Sequence, residues 1–276
     1  MQTINFSANG MKQAVPSFGT PDLEVFDMIA PFFSSALVTV KEWLGEMEVI
    51  PSIAAQVERL CYIMGCRRAI PHLDLVLTPF GFGVVNNQNH APASAHRVEA
   101  LKEELRRDES QTTDSLQQTL LQTPWAMTYA ARRVVGSLLW NPTLLRVHGV
   151  TYHDQEVYEQ EYKALLPLIQ SARLNAERII SSDLMAALVR RLRLPMELEH
   201  DLYTDLAQAV THYMASVIMH RQGNTVPLLA EAERSLLDFV RAHKHRLPEY
   251  ADSAVCAAHE YEPYQNQKDD GTFFFG

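Results

Sequence analysis

Residues 157–180 read VYEQEYKALLPLIQSARLNAERII. Apolar side chains recur in this stretch every three or four residues, and charged residues occupy many of the positions between them. That spacing places the apolar side chains on one face and predicts an amphipathic helix with one buried side, which Pro167 should kink. The apolar positions are Val157, Tyr158, Tyr162, Leu165, Leu166, Ile169, Ala176, Ile179 and Ile180.

Three later segments show the same helical spacing of apolar residues. Pro195 separates the first segment from the second, and Gln222-Gly223-Asn224 separates the second from the third. Four amphipathic helices in succession predict a helical bundle over residues 146–250. The apolar positions are Leu184, Leu188 and Leu192 in the first segment, Leu198, Leu202, Leu206, Val210, Tyr213 and Val217 in the second, and Leu229, Ala232, Leu236, Phe239 and Val240 in the third.

The first half of the chain also has mainly helical patterns. Thr20-Pro21 is typical of a helix start, and Pro31 should break or kink the helix that follows. A second helix should begin at Pro51, and a long helix with a thin apolar stripe should follow Ser94. We therefore expect a helical domain over residues 20–145.

A single segment of this domain predicts β structure. It reads LDLVLTPFGFGVV at residues 73–85 and is followed by the turn-forming run NNQN. This pattern predicts a β-hairpin with Phe80 and Phe82 at or near its turn. The expected fold class is therefore mainly α, a helical bundle with one β-hairpin and extended N- and C-terminal arms.

Both ends of the chain differ from its body. Residues 1–19 contain Asn9-Gly10 and little periodicity, so we expect an N-terminal arm. Residues 251–276 are expected to form a C-terminal arm, whose polar segment is followed by Phe273, Phe274 and Phe275. Leaving these three side chains in water would forgo about 1.5–3 kcal/mol each. They should pack either on this chain's own bundle or in a groove of a neighbouring subunit, together with Tyr261 and Tyr264.

Composition excludes several classes of protein. The chain has 276 residues, of which 47% are hydrophobic and 21% charged, and its net charge is −9. This balance is typical of a folded globular protein and disfavours non-specific binding to nucleic acid. The longest apolar segments, around residues 29–44 and 207–219, fall short of the roughly 18–20 apolar residues of a membrane span. Cys61, Cys66 and Cys256 have no metal-binding or redox spacing and should be small buried side chains.

No pattern in the sequence specifies catalysis. The eleven histidines show no chelating spacing, and Gly81-Phe82-Gly83 lacks the motif of a phosphate-binding loop. Asp269-Asp270-Gly271 lacks the remaining ligands of a calcium loop. Glu197, Glu199 and His200 begin a helix, where the dipole favours acidic residues, and no second element supports an acid–base role. We expect no catalytic residue, no cofactor and no metal.

Arginine pairs form a further group. They occur at Arg67-Arg68, at Arg132-Arg133 and at Arg190-Arg191 with Arg193. Ion pairing on helix surfaces is the simplest interpretation. The alternative is that one pair forms a basic patch that faces phosphates or an acidic partner surface.

One resemblance can be drawn from these motifs. The succession LVLT at 75–78, GFGVV at 81–85, APAS at 91–94 and Arg97-Val98 resembles an uncharacterised family of virion proteins encoded by tailed phages and prophages of Bacteroidales. The end of the chain is similar to the end of that family, and the likeness extends over about residues 70–276. The shared positions near the end are Leu236, Leu247-Pro248-Glu249-Tyr250, Ser253, Tyr264, Asn266 and Phe273–Phe275.

The resemblance implies a head-to-tail connector, or adaptor, that sits in the virion between portal and tail after synthesis in the host bacterial cytoplasm. The partners it implies are further copies of the chain in a ring, commonly twelvefold, the portal protein and other tail or connector proteins. Double-stranded DNA would pass through the lumen without specific binding, and no membrane would be involved. The expected interface residues are Phe273, Phe274, Phe275, Tyr261, Tyr264, Phe80 and Phe82.

Two alternatives to the connector stay open. A helical adaptor with no virion role would act through protein–protein contacts, and its C-terminal phenylalanines would pack on its own chain. A metal-dependent enzyme would use some of the histidines.

Overall fold

A computed structural model describes residues 4–18, 23–73, 75–78, 81–84, 95–194, 201–223 and 229–261, with backbone alone at Leu23 and in the two strands. These residues form a mainly helical protein. The first six helices are α1 (Ala8–Ala14), α2 (Leu23–Leu44), α3 (Pro51–Leu73), α4 (Ala95–Leu121), α5 (Tyr129–Val134) and α6 (Pro142–Val147). The remaining six are α7 (Glu159–Ile180), α8 (Ser182–Arg191), α9 (Leu202–Arg221), α10 (Leu229–Ala242), α11 (Pro248–Ala251) and α12 (Ala254–His259). Short 3₁₀ turns lie at Pro16–Phe18, Pro124–Met127 and Lys244–Arg246.

Helices of the second half surround one apolar core, which confirms the predicted helical bundle. α9 packs between α7 and α10, and α8 contacts both α7 and α11. The apolar positions of the opening stretch point inward, because Val157, Leu165 and Ile180 have no exposed surface. Leu206, Val210 and Leu236 are equally inaccessible.

Helices of the first half build a core of their own from two apolar clusters, and α3 packs along both α2 and α4. The contact between α2 and α3 depends on Gly65. A Cβ atom at that position would lie 2.3 Å from Cδ1 of Phe33 and 3.0 Å from its backbone nitrogen. Glycine therefore allows the two helices to approach more closely than any other residue would.

The expected N-terminal arm is wrong for the residues described. Residues 8–14 form α1, which Ser7 caps by accepting a hydrogen bond from the backbone of Gly10 at 3.1 Å. Met11 is fully buried, and α1 packs on α3. The local sequence shows little helical periodicity because this seven-residue helix buries few of its own side chains and gains its stability from α3.

Prolines do not end the helices in which they lie. α2 runs through Pro31 and α7 runs through Pro167. A proline removes one backbone hydrogen bond from a helix, and both helices are long and packed on their neighbours, which offsets that loss. The described residues include no helix with an apolar run long enough to cross a membrane.

Two four-residue strands follow α3. β1 (Leu75–Thr78) pairs antiparallel with β2 (Gly81–Val84), and Leu77 lies opposite Phe82. Leu73, which was predicted to lie in the first strand, instead ends α3. Among the described residues, β1 contacts β2 and α3.

The two halves are closely joined at the expected boundary of residues 145 and 146. α6 spans this boundary, and Leu144 packs against both cores. In the expected C-terminal arm, residues 251–261 include α12, and Cys256 is buried in the core of the second half. Residues 262–276 lie outside the described part of the chain.

Candidate functional site

A charged cleft lies where α2, α3, α4, α6 and α7 meet. Its volume is about 260 Å³. Most of its lining residues are polar or charged, and Trp43, Met64 and Pro142 are the apolar ones. The polar lining residues are Thr39, Arg67, Arg68, Arg106, Glu109, Ser110, Thr113, Asp114, Tyr158, Glu159, Gln160 and Lys163.

Glu109 is the most deeply buried carboxylate of the cleft, with 6% of its surface exposed. Arg67 on α3 donates to it through Nε at 2.6 Å and through Nη2 at 3.3 Å. This is a bidentate pair, in which two guanidinium nitrogens donate to the two carboxylate oxygens. It compensates for removing the carboxylate charge from water and ties α3 to α4.

Tyr158 forms the second part of the cleft, at the start of α7. The guanidinium carbons of Arg106 and Arg146 lie 5.0 and 5.3 Å from the centre of its ring, within the range of cation–π attraction. Its hydroxyl donates to Glu156 at 2.7 Å. Burial, aided by that hydrogen bond to Glu156, raises the pKa of Tyr158 to about 12.

Asp114 is a second carboxylate of the cleft. It accepts a hydrogen bond from Thr143 and lies 3.9 Å from Arg146, while its buried Oδ1 has no hydrogen-bond partner among the described residues. Burial raises the pKa of Asp114, although Thr143 and Arg146 oppose that rise. The charge of Asp114 is therefore only partly compensated.

Charge pairing determines what this cleft can do. Arg67, Arg106 and Arg146 each pair with a carboxylate of another element, and Arg106 reaches Glu161 on α7 at 2.7 Å. In the ranges described, no group of three His, Cys, Asp or Glu side chains is arranged to hold a metal ion. The charged side chains of the cleft pair with one another, and these ion pairs connect the two helical cores.

A second feature is a groove of about 330 Å³ between the 124–134 region and the end of α8. Three arginines line it, Arg132, Arg190 and Arg193. Met127 and Leu194 contribute apolar surface and are 64% and 40% exposed. The groove thus combines positive charge with exposed apolar surface.

Arginines of this groove differ from those of the cleft. Arg193 donates to the carbonyl oxygen of Val135 at 3.0 Å, and within the described ranges no carboxylate pairs with Arg132, Arg190 or Arg193. Burial, and secondarily the positive charge of Arg132, lowers the pKa of Arg193. The three cations therefore repel one another and favour an anionic partner.

The structure divides the arginine pairs noted in the sequence. Arg67 enters an ion pair, Arg68 donates to Ser35 and Thr39, and Arg191 pairs with Asp201. Arg132, Arg190 and Arg193 form the basic groove instead. The sequence indicated local basic patches but could not show that Arg132 and Arg190, 58 positions apart, share one site.

The described part of the chain includes two of the seven expected interface residues, Tyr261 and the backbone of Phe82. Tyr261 is 74% exposed at the end of the described chain. The backbone of Phe82 lies in β2. Phe80, Tyr264, Phe273, Phe274 and Phe275 lie outside the described residues.

The cysteines and several of the histidines noted in the sequence are buried or contact other residues of the chain. Cys61, Cys66 and Cys256 are free and buried, as predicted. Nδ1 of His243 lies 2.9 Å from the carbonyl oxygen of Phe239. The rings of His148 and His212 lie 6.3 Å apart, and burial, followed by the charge of His212, lowers the pKa of His148. Glu197, Glu199 and His200 lie outside the described residues.

Comparison with known proteins gives one similarity. Residues 54–125 match a model described as a family of unknown function (DUF6712). The match covers most of α3, both strands and α4, the unit that supplies Arg67, Arg106, Glu109 and Asp114 to the cleft. No curated protein matches the chain. No solved structure matches it either.

Proposed function

We propose that this protein is a structural component of a virion, a head-to-tail connector that forms a ring between portal and tail. In this role it binds further copies of itself, the portal protein and other tail or connector proteins. The sequence resemblance described above supports this proposal, and the helical body is compatible with it. The protein acts by assembly and uses no cofactor.

Exposed apolar surface is the observation that carries the proposal. A ring of identical subunits needs two different complementary patches on each subunit. Large apolar side chains that are 40–76% exposed lie on elements of both cores, and apolar surface of this kind favours burial against a partner. They are Met28, Val38, Met127, Tyr129, Val147, Leu166, Leu174, Leu194 and Tyr261.

The charged cleft supports the same proposal. Its ion pairs join α4 to α7 and to α6, and so hold the two cores as one body. A subunit that transmits force between a capsid and a tail benefits from cross-linked helices, since breaking a buried pair leaves an uncompensated charge. The strands beyond the end of α3 are a protrusion that contacts the adjoining ring.

Negative charge supports the passage of DNA. The chain has a net charge of −9, so a lumen lined by its acidic residues repels phosphates and lets the duplex slide. In the proposed ring, DNA is therefore a passing cargo and not a bound ligand.

Oligomeric state tests the proposal most directly. We would measure the mass of the purified full chain by light scattering, alone and after mixing with the portal protein of the same phage. The expected result is a ring-sized species, alone or on the portal, and electron microscopy of intact particles should show it between portal and tail.

A chain that stays monomeric under both conditions would overturn the connector proposal. A stable dimer that does not bind the portal protein would favour the alternative of a helical adaptor without a virion role. A metal-dependent enzymatic activity would instead favour the enzyme alternative. Elemental analysis of the purified chain would show whether it holds a metal.

A further inference from the structure

We propose that the groove lined by Arg132, Arg190 and Arg193 is the docking site for residues 262–276 of a second copy of the chain. This inference rests on the proposed function, because a closed ring requires each subunit to give one surface and receive another. It adds the identity of the receiving surface and of the segment that fills it.

The groove is positively charged and exposed to solvent. Arg132 and Arg190 are exposed, and the described residues provide no carboxylate partner for them. Met127 and Leu194 expose apolar surface in the same groove. A complementary ligand must therefore combine negative charge with apolar side chains.

Residues 262–276 have this combination. They read EPYQNQKDDGTFFFG, with three acidic residues and one lysine. Asp269-Asp270 lies three residues before Phe273-Phe274-Phe275. In an extended segment the acidic pair can face the arginines while the aromatic rings cover Met127 and Leu194.

The length of the segment is sufficient. It starts after Tyr261, close to α12, and α11 contacts α8, whose other end borders the groove. α8 has ten residues and is therefore about 15 Å long. Fifteen extended residues can span about 50 Å, which is well over the length of α8.

Disulfide trapping between two different chains tests the docking. One full-length chain carries Ala186→Cys, on the exposed wall of the groove, and the other carries Phe274→Cys. Native Cys61, Cys66 and Cys256 are buried, so background oxidation of the folded chains should be low. We expect a double-mass band on a non-reducing gel in the mixture and much less in either chain alone.

Charge reversal tests the complementarity. Adding Arg132→Glu and Arg190→Glu to the groove chain should lower the yield of the double-mass band about tenfold, because like charges then face the acidic pair. Adding Asp269→Lys and Asp270→Lys to the tail chain should restore it. Arg133→Glu is the matched control, since Arg133 is exposed, adjacent and outside the groove, and it should leave the yield unchanged.

Each outcome decides between the two proposals. Absence of the double-mass band, or equal loss with Arg133→Glu, overturns the docking site. A chain with both cysteines that cross-links only within itself also overturns it, in favour of packing on its own body. Light scattering of the unmodified chain reports ring formation separately, so a ring without the cross-link leaves the connector intact, and a cross-link without a ring overturns the connector alone.

Discussion

Arg106 on α4 donates through Nη2 to Oε1 of Glu161 on α7 at 2.7 Å, which joins the two helical cores. Glu161 also accepts a hydrogen bond from the backbone nitrogen of Tyr158 at 3.1 Å, which fixes the start of α7. Glu161 is 8% exposed, so its charge depends on these two donors. One carboxylate therefore both starts a helix and connects it to the other half of the chain.

Replacing Arg106 tests this connection. Arg106→Met should lower the free energy of unfolding by about 1–3 kcal/mol, because it leaves Glu161 buried with one charged donor fewer. Urea unfolding followed by circular dichroism would measure the change. Lys102→Met is the control on the same helix, since Lys102 pairs with the exposed Glu99, and it should change stability by less than about 0.5 kcal/mol. Equal effects of the two substitutions would contradict a special role for Arg106.

Gly65 makes a second test possible. Gly65→Ala would favour the helix by about 1 kcal/mol on propensity alone. The added Cβ would clash with Phe33, however, and overpacking costs about 1–3 kcal/mol, so we expect no net gain and up to about 2 kcal/mol of destabilisation. Thermal unfolding would measure it, and Gly136→Ala, whose Cβ would have no contact closer than 3.4 Å, is the control. A clear rise in stability for Gly65→Ala would show that α2 and α3 can separate easily.

The tyrosine hydroxyl that holds α1 gives a third prediction. Tyr62 accepts a hydrogen bond from the Ser7 nitrogen at 2.7 Å and donates to the Ser7 oxygen at 3.2 Å. Tyr62→Phe should increase amide exchange in residues 4–18 selectively, because it leaves two backbone groups without their partner. Hydrogen–deuterium exchange with mass spectrometry would detect this. Tyr129→Phe, at a 76% exposed position, should change nothing, and uniform faster exchange over the whole chain would refute a local role.

Acid titration gives a fourth prediction, through Asp114. Its raised pKa means that the folded protein disfavours the charged carboxylate more than the unfolded chain does. This penalty is absent well below the ordinary value of 3.8 and grows as pH rises through the unfolded and then the folded pKa. Asp114→Asn should therefore gain stability relative to the original chain between about pH 3 and pH 7. Urea unfolding at a series of pH values would show it, and a stability difference that does not change with pH would contradict the assignment to Asp114.

Local sequence determined the helices of this protein to a large extent. The apolar spacing at Leu165, Ile169, Ala176 and Ile180 marks one face of a helix wherever that helix lies, because a residue three or four positions away is always a neighbour on the helix surface. The bundle of the second half could be predicted for the same reason, and the burial of the three cysteines could be predicted because they lack metal-binding or redox spacing.

Tertiary contacts determined the features that the local sequence does not specify. α1 exists because Tyr62 binds Ser7 and the core of the first half receives Met11, and residues 1–19 alone contain no sign of that support. The charged cleft joins Arg67 to Glu109 across 42 positions, and the groove joins Arg132 to Arg190 across 58. Charged side chains show no periodic pattern that specifies a distant partner, since their pairing depends on which helix faces pack together. The sequence by itself therefore determined where the long helices form, and only the tertiary structure decided which charges are neutralised and which remain available to a partner.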